Sequence, residues 1–323
     1  MPFPARRSQR PQVLRLKRPG RVILAMLALL AAMPACATSL LDYARERQQE
    51  RDRRERPATD TSGLREAIHE LERANPPPDA ECASSIGATR FARLHAAVGI
   101  ERGLLGDFAG AARDYRRAHA CRPRDADVLA ALAGALFDAR AYEDARVAVD
   151  AALAIDPRAV HTNRLAGNLD YVEERWAEAV ARFRYVASSD PDRNQAGYGQ
   201  LMYYLAQMRA GVKEPRFVTR TPGDGWPQPL LLYLRGDYTE DELVYQVKRG
   251  DDEDNAQPNT STDERLCEAL FYVGEAHWAR GEPQVARDYF TALVNIKVLY
   301  FLEHGLALAE IAKLRKMGTF PDS

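Results

Sequence analysis

The sequence lacks every common catalytic signature. Its six histidines, His69, His95, His119, His161, His277 and His304, form neither an H-x-x-x-H nor an H-E-x-x-H pair, so no helical zinc site is indicated. G-x-S-x-G, a phosphate-cradling glycine loop and C-x-x-C are all missing. The acidic stretch from 251 to 264 does not scan as a calcium loop, because the central glycine and the correctly spaced closing glutamate are absent. His304 follows Glu303, but on a terminal helix that pair reads as packed or surface polarity. The expectation is a non-enzyme with no catalytic residue, no metal and no cofactor. Long apolar runs are missing too. The unbroken run from Val22 to Met33 has 12 residues, too short to cross a bilayer as a permanent helix.

Charge excludes another class. The 45 basic and 46 acidic residues give a net charge of −1. The first 35 residues carry seven basic side chains and no acid, so the chain without them sits at −8. An acidic body does not suit nucleic acid, which needs clustered Lys and Arg.

That leader has a form of its own. Arg6, Arg7, Arg10, Arg15, Lys17, Arg18 and Arg21 precede the apolar run, and Pro34-Ala35-Cys36-Ala37 follows it. This order of basic, apolar and small-residue regions is that of a secretory signal peptide over residues 1–37. Two modes of processing fit. Cys36 after an alanine suits lipidation, although Met33 and Pro34 depart from the preferred lipobox. Ala35-Cys36-Ala37 suits cleavage to a soluble chain starting at Thr38.

What the sequence does have is a repeat. Pro123, Pro157 and Pro191 lie 34 residues apart. Ala111, Ala145 and Ala179 keep the same spacing, as do Gly99, Ala133 and Gly167. A 34-residue period of helical pieces is the tetratricopeptide (TPR) signature. The small residues let paired helices approach closely, and the proline stops the second helix. Tyr115, Val149 and Phe183 are expected to fill space between neighbouring hairpins. The predicted fold is an all-α TPR helical-repeat solenoid, with three repeats over residues 92–193. Residues 194–323 form a C-terminal helical region, with a final TPR-like hairpin over 267–298 and a capping helix from Phe301 to Lys316. Thr239 is a predicted helix N-cap. Upstream, residues 38–62 read as a charged tether, either a solvated helix or a disordered spacer. Residues 63–91 hold an amphipathic helix that either caps the first repeat or packs on a second copy of the chain.

In such a solenoid, binding residues line the concave wall. The first repeat offers Arg93, Ile100 and Leu104 there, and the second Asp127, Phe137 and Asp138. The third supplies His161, Arg164, Asn168 and Tyr171, while Trp278 of the last hairpin faces the groove or a partner. Aromatic and arginine anchors among small residues suit capture of a peptide or helix. Arg164 with Asn168 makes half of a carboxylate grip. Trp176 reads as core. Cys82 and Cys121 fall at the same end of the first antiparallel pair, so a disulfide is feasible in an oxidising compartment, with two unpaired buried thiols as the alternative.

Several stretches go beyond the generic repeat: Leu201 to Gln207, Leu232-Tyr233-Leu234-Arg235-Gly236, Phe271-Tyr272-Val273-Gly274-Glu275 and Phe301-Leu302-Glu303-His304. In these the chain resembles the NlpI-type TPR lipoproteins of the Gram-negative cell envelope. The resemblance implies a homodimeric periplasmic adaptor, anchored to the outer membrane through a lipid on Cys36. It would bind peptidoglycan hydrolases and present one of them to a tail-specific protease.

Overall fold

The computed structural model describes residues 39–53, 62–73, 88–218, 225–249, 262–299 and 301–320. The leader with Cys36, the cysteine Cys82 and the acidic loop lie outside these residues. The described chain is all-helical: α1 (Leu40–Arg53), α2 (Ser62–Arg73), α3 (Ala88–Leu104), α4 (Phe108–Cys121), α5 (Ala126–Asp138), α6 (Tyr142–Ile155), α7 (Val160–Val172), α8 (Trp176–Ser189), α9 (Arg193–Arg209), α10 (Gln228–Arg235), α11 (Glu240–Lys248), α12 (Thr262–Ala279), α13 (Pro283–Ile296) and α14 (Leu302–Lys316). Neighbours in sequence pack as neighbours in space, which makes a helical-repeat solenoid. No described helix is long and apolar enough to cross a membrane.

The hairpins α3/α4, α5/α6 and α7/α8 are the three repeats, and α12/α13 repeats their geometry. Ala111, Ala145, Ala179 and Ala286 in the second helices are at most 1% exposed. The ring or aliphatic side chain four residues on belongs to the same seam. Where it is aromatic it packs on the glycine of its own hairpin: a Cβ added to Gly99 would meet the Tyr115 ring at 3.0 Å, and one added to Gly167 would meet Phe183 at 2.9 Å. The last hairpin pairs Gly274 with Phe290 in the same way, at 2.8 Å. The second repeat has Ala133 and the smaller Val149 at these places, so volume is exchanged within each hairpin. Fully burying such a side chain stabilises by about 2–3 kcal/mol.

The turn inside each hairpin is left-handed at one residue. Gly106 and Gly281 occupy it at φ of 77° and 82°, whereas Arg140 and Glu174 hold it at 59° and 60°. In all four the next N–H bonds back to the carbonyl five residues earlier, as from Ala141 to Leu136 at 2.9 Å. This closes the first helix and aims the second one back. Aspartates open several helices: the Asp107, Asp125 and Asp192 carboxylates accept N–H bonds of the first turns of α4, α5 and α9. Thr239 caps α11 in a full capping box with Glu242.

The ends differ from expectation. The charged tether begins as α1, whose Leu40, Tyr43 and Ala44 are buried against α11, α12 and α13. The Leu40 N–H donates to the Glu240 carboxylate at 2.7 Å, and the Lys248 ammonium lies 4.6 Å from the Tyr43 ring centroid. Three apolar side chains in the first two turns suffice to dock a helix whose remainder is polar. Helix α2 packs on α3 and covers the start of the array. Helix α14 does more than cap the last hairpin. Besides α12 and α13 it touches α5 and α7, so it crosses the first helices of repeats two and three.

Candidate functional site in the concave wall

Helix α14 leaves part of the concave wall open, and there a cavity of about 580 Å³ remains. One side is α5, α7 and α9; the other is α12, the start of α14 and the turn carrying Trp226. The far side holds two buried carboxylates, Glu268 (3% exposed) and Glu303 (6% exposed). Glu268 accepts the Trp226 indole N–H at 2.5 Å, and both its oxygens lie within 3.0 Å of the Tyr198 hydroxyl. Glu303 accepts a hydrogen bond from the Tyr272 side chain. Burial, and then the neighbouring Glu303 charge, hold the Glu268 carboxyl well above the usual range. Burial raises Glu303 to about 7, against the pull of Arg164. Asp138, facing them from α5, is raised to about 7 by burial alone.

The residues singled out from the sequence divide into groups. Phe137, Asp138, His161, Arg164 and Asn168 line this cavity. Ile100 and Leu104, 54% and 52% exposed, line an adjoining apolar cleft of about 260 Å³ that shares Gly134 and Asp138 with it. Arg93 and Asp127 are exposed and line neither. Tyr171 and Trp278 correct the expectation. Tyr171 is fully buried, and its hydroxyl donates to Glu275 at 2.5 Å. Trp278 holds the Arg209 guanidinium 4.2 Å from its ring centroid, with half-buried Trp176 4.9 Å away on its own account. Arg209 also pairs with the buried Glu275 and Glu310 at 2.7 and 3.2 Å. This is an internal clamp joining the third repeat to α12 and α14, because a desolvated guanidinium needs its charges and ring faces satisfied.

The carboxylate grip is corrected too. Arg164 already donates to the Gln195 side chain and lies 3.0 Å from His161 Nδ1. Burial, with Arg164 second, keeps the His161 imidazole below its ordinary pKa, so its neutral form is favoured.

No protein-family model matches the chain. The function therefore rests on the residues themselves. Tyr198, Trp226, Glu268, Tyr272 and Glu303 carried no site assignment in the sequence. The readable signal was Glu268, a carboxylate between Cys267 and Ala269-Leu270-Phe271 on a helix buried all round. Cys267 is one of its buried residues. Cys121 is disulfide-bonded, while Cys82 lies outside the described residues.

Proposed function

We propose that the protein is a non-catalytic scaffold that holds partner proteins against the concave wall of its repeats. The observation that carries this reading is the recess itself: a cavity of about 580 Å³ beside a cleft where Ile100 and Leu104 are exposed. Exposed aliphatics beside a polar pocket suit a partner segment with one apolar anchor and one polar one. The basic and apolar leader supports export, with Cys36 as the residue for a lipid anchor facing the periplasm. The resemblance to NlpI-type lipoproteins supports peptidoglycan hydrolases and a tail-specific protease as partners, and a homodimer as the working form.

The test is capture from envelope extract by the full chain and by a Leu104→Ser variant. Cell-wall hydrolases retained by the first and lost from the second support the reading. Capture of outer-membrane, pilus or secretion components instead points to an assembly factor using the same wall. Identical capture by both chains removes the groove from the function. Detergent-phase partitioning of a Cys36→Ala variant tests the anchor, and unchanged partitioning counts against it.

A further inference from the structure

We propose that the central cavity is a receptor for a cationic side chain, an arginine guanidinium or a lysine ammonium presented by a partner protein. This rests on the scaffold reading only for the protein origin of the cation. The first argument is an imbalance of acceptors. Among the described residues the Asp138 side chain has neither hydrogen bond nor ion pair, although it lines the cavity. Asn168 lines it too, is only 3% exposed, and its Oδ1 has no hydrogen-bond partner. A buried acceptor without a donor is a standing penalty unless something supplies one. The Asp138 carboxylate lines this space, and Glu268 and Glu303 add two more carboxyl groups to its wall.

The second argument is that a single arginine, Arg164, stands against the carboxyl groups of Asp138, Glu268 and Glu303 in this lining. Arg164 is the one basic side chain of the cavity lining besides His161. Its guanidinium is engaged with Gln195 and His161 and its charge reaches Glu303, not Asp138, while His161 favours its neutral form. Above about pH 7, where Asp138 and Glu303 ionise, a carboxylate or phosphate ligand meets like charge, whereas a cation with several donors gives Asp138 its missing partner. The third argument is the wall. Phe137, Tyr198 and Tyr272 border the same space, and aromatic rings attract cations that have shed water; the Trp226 ring already holds the Arg265 guanidinium 5.5 Å from its centroid.

The adjoining cleft decides the source. It shares Asp138 with the cavity and exposes Ile100 and Leu104. A free amine gains nothing from it, but a peptide with an apolar residue a short step from its arginine fills both.

Calorimetric titration of the full chain at pH 8 tests this. The probes are blocked acetyl-Leu-Gly-Gly-Arg-amide, the same peptide with neutral citrulline, and butylguanidinium. Saturable binding of the arginine peptide is expected, with the citrulline peptide about tenfold weaker or more, the loss of roughly one charge-assisted hydrogen bond. Asp138→Asn and Glu303→Gln should each weaken the arginine peptide by a similar factor and leave the citrulline peptide unchanged. Both substitutions preserve shape, and circular dichroism checks the fold. Leu104→Ser should bring the arginine peptide down to the level of butylguanidinium. Equal binding of arginine and citrulline peptides, or an Asp138→Asn variant that binds as wild type, overturns the proposal. If butylguanidinium matches the peptide and Leu104→Ser is silent, the protein source is overturned. If no probe binds while envelope partners are still captured, the cationic receptor falls and the scaffold reading stands.

Discussion

Asp138 gives the sharpest test of how the interior is arranged, through Asp138→Asn and the pH dependence of stability. Burial without a partner raises its carboxyl from the ordinary 3.8 to about 7. The folded state therefore holds the proton more tightly than the unfolded one between these values. Stability from this group is fully present below about 3.8, is lost as pH rises, and is gone above about 7. Three units correspond to about 4 kcal/mol as an upper bound. Water reaching the cavity reduces that, so about 2–3 kcal/mol is expected. Asparagine keeps the shape and cannot ionise. Asp138→Asn should thus be more stable than wild type by about 2–3 kcal/mol at pH 8, with the gap narrowing steadily to near zero by about pH 4. Urea unfolding of both chains at several pH values, followed by far-UV circular dichroism, measures it. Other buried carboxylates titrate in both chains and largely cancel in the difference. A gap that does not change with pH, or a variant less stable at pH 8, would refute the account of a lone desolvated carboxylate.

Other consequences can be checked in the same way. Gly167→Val should lose about 1–3 kcal/mol, because its Cβ would lie 2.9 Å from the Phe183 ring. The double variant Gly167→Ala with Phe183→Val, which copies the second repeat, should recover part of this in thermal melts. Arg140→Gly should raise stability by about 0.5–1 kcal/mol, since φ of 59° suits glycine better than a residue with a Cβ; an unchanged urea midpoint would argue against a strained turn. Arg209→Met should cost about 3–5 kcal/mol by leaving Glu275 and Glu310 without their cation, whereas Tyr171→Phe should cost about 1–2 kcal/mol. Alkylation of denatured, unreduced protein should label Cys267 and spare Cys82 and Cys121, and label on Cys82 would refute that pairing.

The array was legible in the sequence because its determinants are local. Helix period, small residues at fixed spacing and stop prolines each act within one hairpin, so Gly99, Ala145 and Pro157 reveal it one turn at a time. The left-handed turn was half legible, plain at Gly106 and Gly281 but hidden at Arg140 and Glu174. The site was legible only on its array side. Asp138, His161, Arg164 and Asn168 follow from repeat positions, but register alone does not say whether a position faces open groove or another helix.

That decision belongs to contacts distant in sequence. Tyr171 meets Glu275 across 104 residues and Leu40 meets Glu240 across 200, and no periodicity encodes either. Repetition told what each hairpin is, since hairpin energetics come from neighbours along the chain. Only the tertiary structure decided that α14 returns over part of the concave wall, turning an open groove into a half-covered, acid-lined cavity. The reason is that burial, and with it the pKa of Glu268, Glu303 and Asp138, depends on what else arrives at that place in space.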